Sequence, residues 1–452
     1  MKTRFSSILM TGLATLMFVS CINGTPGSTG NSSVAKNSPE TKASAEQAGT
    51  QGQAQEPQYA VYPVTDHPKI NVYLETSGSM NGYVNGGTSV FQQVVKEYLS
   101  GINNAAYASE VNYYYINSKI TPKGNDLTQY ITRLTPSSFT SSGNTATTDI
   151  GGIFKEIIGR TDNNTISIFI SDCIISPGRG VDTQAYLRGQ MTDIRDAVVG
   201  YIKQYEDFAC LVYQLDSGFK GSYYDYENSK HANVNMQRPF YIWVFGHTCS
   251  VAMLKLQYVP DRDFKVAPIR NQWMIFNTAL ATLQQENRYG VLLANNAKNG
   301  KYTRVDATTV RGLQKADEKY YRFSFGAQMA MAQYLMGDDY VEDTDNYNHM
   351  VNKTIKEKFY GDIEKDYAQN SPYTELYRVE SDTPFQKGNF TLAFIPKVPK
   401  WAAECTDYDD RFFNGTNDNK TYGLEYIFNG VFNGFNSGNH DNILAEFNFE
   451  IK

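Results

Sequence analysis

The chain has few cysteines and few histidines, five of each in 452 residues. No two cysteines form a CxxC pair, which argues against the zinc and redox motifs built on that spacing. With so little histidine and no G-x-S-x-G turn, a Ser-His-Asp hydrolase is not expected. Besides Cys21, four thiols remain, and the sequence does not choose among their three pairings: Cys173, Cys210, Cys249 and Cys405.

Positive charge is also in short supply. Without Lys2 and Arg4, 39 basic residues face 47 acidic ones, a formal charge of −8. No Lys/Arg-rich run is present, so neither nucleic acid nor an anionic lipid surface is an expected partner. No segment after the N-terminal leader approaches 18 consecutive apolar residues, so no transmembrane helix is predicted. Nucleotide binding has no support either, because both glycine-rich phosphate-binding motifs are missing.

Residues 1–21 have the pattern of a lipoprotein signal peptide. Lys2 and Arg4 precede a mostly apolar stretch, Ile8–Val19, that is too short to span a bilayer. The last four residues of the leader resemble a bacterial lipobox, which implies lipidation of Cys21, with an ordinary cleaved secretory peptide as the alternative. We therefore expect a protein of the bacterial cell envelope that touches the membrane through its lipid anchor alone. No acidic run of the kind that promotes surface display follows Cys21, which favours the periplasmic side.

A long polar segment follows the leader. Residues 22–57 contain no aromatic residue, and Ile22 and Val34 are their only large aliphatic residues. Such a segment cannot bury enough apolar surface to offset the entropy lost on ordering. We predict a flexible tether over 22–60, followed by two domains in the remaining 390 or so residues.

The region 61–260 alternates short apolar runs with helix-like stretches, which is typical of βαβ units and a mostly parallel sheet flanked by helices. Its predicted strands are Ile70–Leu74, Val111–Ile116, Ile166–Ser171, Phe208–Leu215 and Phe240–Phe245, and its predicted helices are Val90–Ile102, Asp149–Ile158, Tyr186–Tyr205 and His247–Leu256. The region 261–452 lacks this rhythm and predicts a C-terminal α+β accessory domain. Within it we expect helices at Met274–Gln284 and Thr421–Phe432 and strands at Tyr320–Phe325, Thr391–Ile395 and Ile443–Ile451.

One short motif carries most of the chemical signal. Glu75, Ser77 and Ser79 stand directly after the predicted strand Ile70–Leu74. They place one carboxylate and two hydroxyls at the carboxyl end of a buried strand. Oxygen ligands of this kind are what Mg²⁺ and Ca²⁺ prefer. The simpler interpretation is that these side chains only cap the following helix and hydrogen-bond the loop.

The motif resembles the metal-ion-dependent adhesion site (MIDAS) of von Willebrand factor A (vWA) domains, in which the first residue is Asp rather than Glu. The resemblance covers roughly residues 66–258. It implies a vWA/Rossmann-like sheet and two further ligands, Thr148 at the start of a helix and Asp172 directly after a buried strand. The family often has Gly after that Asp, where this chain has Cys173.

The resemblance implies a function in binding rather than catalysis. Mg²⁺, or Mn²⁺ or Ca²⁺, would be held by Glu75, Ser77, Ser79, Thr148 and Asp172 and would accept an acidic group from a protein partner. A metal-free vWA-like envelope scaffold is the main alternative. A metal-assisted hydrolase is a further one, although the sequence names no general base for it.

Overall fold

The computed structural model describes most of the chain beyond residue 66. The described ranges are 67–86, 89–140, 149–284, 288–292, 298–349, 351–355, 373–412, 419–437 and 441–452. The predicted signal peptide, its Cys21, the tether over 22–60 and the predicted ligand Thr148 lie outside these ranges.

The N-terminal half is built on a seven-stranded mixed sheet with the strand order β3-β2-β1-β4-β6-β5-β7. Only two of its six neighbouring pairs are parallel, β1 with β2 and β1 with β4. The predicted α/β class is confirmed, whereas the predicted parallel-dominated sheet is not. The strands are β1 Lys69–Glu75, β2 Glu110–Ile116, β3 Ile120–Gly124, β4 Thr165–Ser171, β5 Ala209–Tyr224, β6 Lys230–Gly246 and β7 Asn271–Phe276.

The long hairpin of β5 and β6 accounts for the difference. The polar stretch 216–239 separates two predicted strands, and its sequence predicts a turn at Asp216–Gly218 and a polar loop around Tyr223–Tyr226. It instead continues both strands as an antiparallel ribbon that turns at Asp225–Ser229. A parallel pair needs a crossover connection, usually a helix, whereas this stretch folds back directly through its turn. The returning strand β6 therefore lies antiparallel between β4 and β5.

Helices cover both faces of the sheet. On one face Ile70, Val72 and Leu74 of β1 share a core with α1, and on the other face Tyr73 shares a core with α4, α5 and α11. A capping box of Ser89 starts α1. The helices are α1 Val90–Asn104, α2 Leu127–Thr132, α3 Pro136–Thr140, α4 Ile150–Gly159, α5 Thr183–Tyr205, α6 Thr248–Met253, α7 Leu280–Gln284, α8 Ala330–Met336, α9 Asp338–Glu342, α10 Lys400–Glu404 and α11 Leu424–Phe435, with short 3₁₀ helices at Ser79–Tyr83, Asp261–Asp263 and Thr344–Asn346 and a π turn at Leu254–Tyr258.

The C-terminal half contributes two four-stranded sheets, ordered β14-β17-β10-β9 and β12-β13-β11-β8. They pack together through aromatic rings, with Phe325 of β11 4.7 Å from both Tyr377 of β13 and Phe449 of β17, measured between ring centroids. The strands are β8 Tyr289–Val291, β9 Lys301–Arg304, β10 Thr309–Gln314, β11 Tyr321–Ala327, β12 Val351–Ile355, β13 Glu375–Ser381, β14 Gly388–Phe394 and β17 Ala445–Ile451, and a two-stranded pair joins β15 Thr406–Asp407 to β16 Thr421–Tyr422.

Elements from beyond the predicted boundary at residue 260 belong to the first sheet and to the helical layer that covers it. The segment Met274–Gln284 was expected to be one helix, which is wrong, because β7 occupies Asn271–Phe276 and forms the edge of the first sheet. The helix α11 packs on α5 and completes the helical layer on that sheet. A cut at residue 260 would therefore remove both an edge strand and a covering helix from the N-terminal core.

Two further expectations can be compared with the described residues. No helix within them has the length and apolarity needed to cross a membrane. The four cysteines in these ranges are all buried, and none is joined to another in a disulfide: Cys173, Cys210, Cys249 and Cys405.

Candidate cation-binding site at the ends of β1 and β4

The turn after β1 brings its oxygens against the end of β4. Glu75 is fully buried, and the hydroxyl of Ser171 donates a hydrogen bond to its Oε2. The same hydroxyl accepts a hydrogen bond from the backbone N–H of Cys173 at 2.7 Å. The parallel register, which pairs Leu74 with Ile170, sets the two strand ends level. The turn that carries Glu75, Ser77 and Ser79 and the segment that carries Asp172 therefore meet.

Ser77 and Ser79 lie on the same turn. Their Oγ atoms are 2.9 Å apart, and the two residues are only 3% and 7% exposed. Neither side chain caps a helix: the 3₁₀ helix Ser79–Tyr83 has no side-chain cap, and α1 is capped by Ser89. The helix-capping part of the simpler interpretation is therefore wrong, whereas its other part, hydrogen bonding within the loop, agrees with the contact between the two serines.

Asp172 follows β4, and its two carboxylate oxygens differ in their hydrogen bonding. The residue is fully buried, and its Oδ1 accepts from the backbone N–H of Ile174 at 3.3 Å. Its Oδ2 has no hydrogen-bond partner among the described residues. Burial raises the pKa of Asp172, and hydrogen bonding from the Ser79 hydroxyl and the positive charge of Arg238 offset part of that rise.

The backbone of Cys173 explains why this loop favours glycine. Its φ is +58°, in the left-handed region that a residue with a Cβ rarely adopts. The side chain is buried, and its Sγ accepts a hydrogen bond from Nε1 of Trp243 at 3.3 Å. Burial raises the pKa of this thiol, which keeps it protonated and unreactive.

The vWA resemblance also implied a ligand, Thr148, at the start of a helix, and the structure describes this segment only from Asp149 onward. Asp149 caps the start of α4 by accepting from the backbone N–H of Gly152 at 3.0 Å. Gln190 of α5 donates to the same carboxylate at 2.8 Å and accepts from Gly151 at 2.7 Å. The start of this helix is therefore fixed, while Thr148, which directly precedes it, lies outside the described residues.

A buried arginine that the sequence analysis did not select stands near Asp172. Arg238 of β6 is 2% exposed, and its guanidinium lies 4.7 Å from the ring centroid of Tyr223. Asp172 and Asp410 both act on it electrostatically. The only sequence signal for its burial is the apolar run that begins two residues later, at Phe240.

The β5–β6 ribbon covers the turn. A Cβ on Gly82 would come within 2.3 Å of the Phe219 ring, and Asn85 donates to the carbonyl of Lys220 at 3.0 Å. Tyr83 also donates to the carbonyl of Pro239 at 2.6 Å. The ribbon and the turn thus pack as one buried unit.

Asp410, from the C-terminal half, ties down the ribbon. It accepts from the Tyr223 hydroxyl at 2.5 Å and from the backbone N–H of Tyr226 at 2.9 Å. Burial raises the pKa of Asp410 to about 6, and these hydrogen bonds oppose the rise. Tyr223, in a stretch considered earlier as a polar loop, is instead a core residue.

The donor set suits a hard cation in part. Two hydroxyls and the open oxygen of Asp172 are oxygen donors of the kind Mg²⁺ and Ca²⁺ take, and Glu75 adds a second buried carboxylate. No group of three or more His, Cys, Asp or Glu side chains comes together within the described ranges in a way that could hold a metal ion. A cation at this turn would therefore depend on the serine hydroxyls.

Comparisons with known proteins give no further information about this site. Comparison of the chain with protein-family models, with curated proteins and with solved structures gives no match in any of the three.

Proposed function

We propose that the chain is an exported, lipid-anchored binding protein of the bacterial cell envelope, whose vWA-like N-terminal half uses a divalent cation to bind an acidic group of a protein partner. The single observation that carries the proposal is Oδ2 of Asp172, which is buried, lacks a hydrogen-bond donor among the described residues and lies near the Ser79 hydroxyl. The two parallel pairings around β1 support the vWA-like interpretation. The antiparallel β6 beside β4 departs from a mostly parallel sheet.

An unpaired carboxylate oxygen in a protein core is costly. Two events relieve the cost: protonation, which the raised pKa of Asp172 favours, or binding of a cation. Ser77, Ser79 and Asp172 would hold such an ion directly. Glu75 already accepts from Ser171, so we assign it a positioning role or a contact through water.

Burial constrains how a partner would reach the ion. Glu75, Ser77, Ser79 and Asp172 are each less than a tenth exposed. In the described conformation, the cation would first join the turn after β1 to the end of β4. For a partner carboxylate to reach the ion, the described residues around it would have to move apart.

The test is a calorimetric titration of the metal-stripped protein with Mg²⁺, Mn²⁺ and Ca²⁺, with thermal melting measured in parallel. We expect saturable heat and a rise in melting temperature, because an ion that binds only the folded state stabilises it. Ser77→Ala with Ser79→Ala should abolish both signals. The matched control is Ser109→Ala with Ser437→Ala, two exposed serines outside the turn, one just before β2 and one just after α11, which should leave both signals unchanged. No response in the unmodified protein at millimolar ion would sink the cation part of the proposal.

The second candidate is a metal-free scaffold with the same fold. The observation that favours it is Arg238, whose buried positive charge acts on Asp172 without any ion. Partner capture in EDTA separates the two candidates. Binding that survives EDTA and the double serine variant favours the scaffold, and binding lost in both favours the cation site.

A further inference from the structure

A large cleft lies away from this turn, beside the sheet edge formed by β7. Its volume is about 1050 Å³. One wall comes from residues 261–272, and the other comes from residues 336–346 and 397–401 of the C-terminal half. Ligand sites commonly occupy clefts of this kind between packed units, with volumes of about 300–1000 Å³. We propose that this cleft binds a polyhydroxylated ligand, an oligosaccharide of low net charge.

A buried lysine fixes the first wall. The side chain of Lys255 is 1% exposed, and its Nζ donates to both oxygens of Asp261 at 2.8 and 2.7 Å and to Oε1 of Gln272 at 2.6 Å. Asp261 and Gln272 both line the cleft. A charged group this well buried and fully engaged holds two lining side chains in place before any ligand arrives.

The second wall is fixed by hydrogen bonds around Tyr340. The Tyr340 hydroxyl donates to the carbonyl of Lys397 at 2.5 Å and accepts from the Lys397 N–H at 2.8 Å. Asn346 donates to the carbonyl of Tyr340 at 2.9 Å. Trp401 donates from Nε1 to the carbonyl of Gln272 at 3.3 Å, which joins the two walls. The cleft thus presents two held aromatic side chains.

The charges of the lining side chains nearly cancel. Five aspartates face four lysines and arginines. Lys400 lies 3.0 Å from Asp343 and 2.8 Å from Asp345, and Arg270 lies 3.3 Å from Asp216. Because positive and negative side chains are nearly balanced, the lining does not favour a highly charged ligand such as a polyphosphate or a polycation. Hydroxyl groups, which both donate and accept, match a lining that mixes carboxylates, amides and cationic donors.

The sheet edge does not favour an extended peptide. A peptide that adds to β7 as a strand needs unengaged backbone groups. The carbonyl of Gln272 already accepts from Trp401, and the carbonyl of Phe276 accepts from Asn442 at 2.8 Å. A ligand would therefore be recognised by the side chains of the cleft. The apolar C–H face of a sugar ring can pack on the Trp401 and Tyr340 rings.

The fluorescence of Trp401 can report ligand binding in this cleft. Of its three tryptophans, Trp243 and Trp273 are 0% and 1% exposed, whereas Trp401 is partly exposed at the cleft. The protein is first applied to an array of neutral and acidic oligosaccharides, and each hit is then titrated by tryptophan fluorescence and calorimetry. We expect neutral oligosaccharides to bind and to shift the emission. Trp401→Phe should remove the shift, and the exposed lining residue Asp339→Asn should weaken binding by at least about fivefold.

The control is Glu404→Gln, an exposed residue of the same helix as Trp401 that does not line the cleft. It should bind as the unmodified protein does. Asp339→Asn provides a readout that does not depend on folding of the tryptophan variant. An array without hits, hits confined to acidic sugars, or neutral hits that both cleft variants bind unchanged would each overturn the proposal.

Discussion

At the ends of β1 and β4, the carboxylates of Glu75 and Asp172 are fully buried, whereas the cleft beside β7 leaves the side chain of Asp261 37% exposed and that of Asp345 65% exposed. In the first region, Oδ2 of Asp172 has no hydrogen-bond partner among the described residues. In the second, Asp261 pairs with Lys255, and Asp343 and Asp345 pair with Lys400. Both regions are rich in acidic oxygens, but they differ in dielectric surroundings.

This difference determines what a mutation should do in each region. Electrostatic interactions are strong where water is excluded and weak where it is present. Changes at the buried turn should therefore act on folding stability, and changes at the cleft should act mainly on binding. Four predictions test this contrast.

The largest effect is expected for Arg238→Met. Removal of one partner from a buried charge network leaves the other charges uncompensated and typically costs about 3–5 kcal/mol. Urea unfolding at pH 7 measures the loss, and adding Asp172→Asn should recover part of it. Arg195→Met is the control, since Arg195 pairs with Asp196 on the surface and its removal should cost less than about 1 kcal/mol. A similar small cost for Arg238→Met would show that the buried charges are not coupled.

The second prediction concerns pH. Asp410 has a folded-state pKa of about 6, above its ordinary value of 3.8, so the folded protein holds more protons than the unfolded chain between these values. Its contribution to stability therefore falls as the pH rises from about 4 to about 6, by about 2–3 kcal/mol in total. Asp410→Asn should remove this dependence, because its Oδ1 can still accept from the Tyr226 N–H while its Nδ2 donates to the Tyr223 hydroxyl, which reverses that second hydrogen bond.

Asp409 is the matched neighbour for that experiment. Arg411 lowers the pKa of Asp409, so Asp409→Asn should change the pH dependence in the opposite direction. Unfolding free energies measured from pH 2 to 7 provide the comparison, because the contribution of Asp409 is lost as the pH falls below its ordinary pKa of 3.8. Equal pH profiles for the unmodified protein and Asp410→Asn would contradict the buried-carboxylate interpretation.

A third, smaller effect is expected at Cys173. Glycine relieves the left-handed backbone at φ +58°, whereas alanine does not. Both variants lose the sulfur contact with Trp243. We expect Cys173→Gly to be more stable than Cys173→Ala by about 1 kcal/mol, the reverse of the usual order. Thermal melting of the glycine and alanine variants measures this difference. A more stable alanine variant would show that the backbone strain at residue 173 is not significant.

The smallest effect is expected in the cleft. Lys400→Gln removes contacts to Asp343 and Asp345 from a side chain that is 66% exposed. Such pairs contribute about 0–1 kcal/mol and are screened by salt. The unfolding free energy should change by less than about 1 kcal/mol, and the change should shrink at 0.5 M NaCl. A loss as large as that expected for Arg238→Met would remove the contrast between the two regions.

Local patterns predicted the elements around the turn. The apolar runs at β1, β2 and β4 and the helical spacing of α1, α4 and α5 all appear within a few residues of the expected bounds. The vWA resemblance implied the close approach of Glu75, Ser79 and Asp172, and the strand-end positions of these residues agree with it. Parallel neighbours of similar length place their carboxyl ends at one edge of the sheet.

The sequence did not reveal the partners supplied by distant segments. Ser171 was passed over as a strand-end residue, although it binds Glu75. Arg238 and Asp410 come from a hairpin and from the C-terminal half, and nothing near them in the sequence indicates a shared core. Residue spacing reports the local backbone, whereas these contacts depend on how the ribbon folds back.

The sequence by itself determined the α/β class, the burial of β1 and the presence of carboxylate and hydroxyl oxygens at its end, because these depend on residue type and short-range periodicity. Only the tertiary structure decided that β6 inserts antiparallel beside β4, that Arg238 shares the buried turn and that a cleft opens beside β7. These features arise from pairing and packing between segments far apart in the chain, where many arrangements satisfy the same local pattern and the best burial of apolar surface selects one.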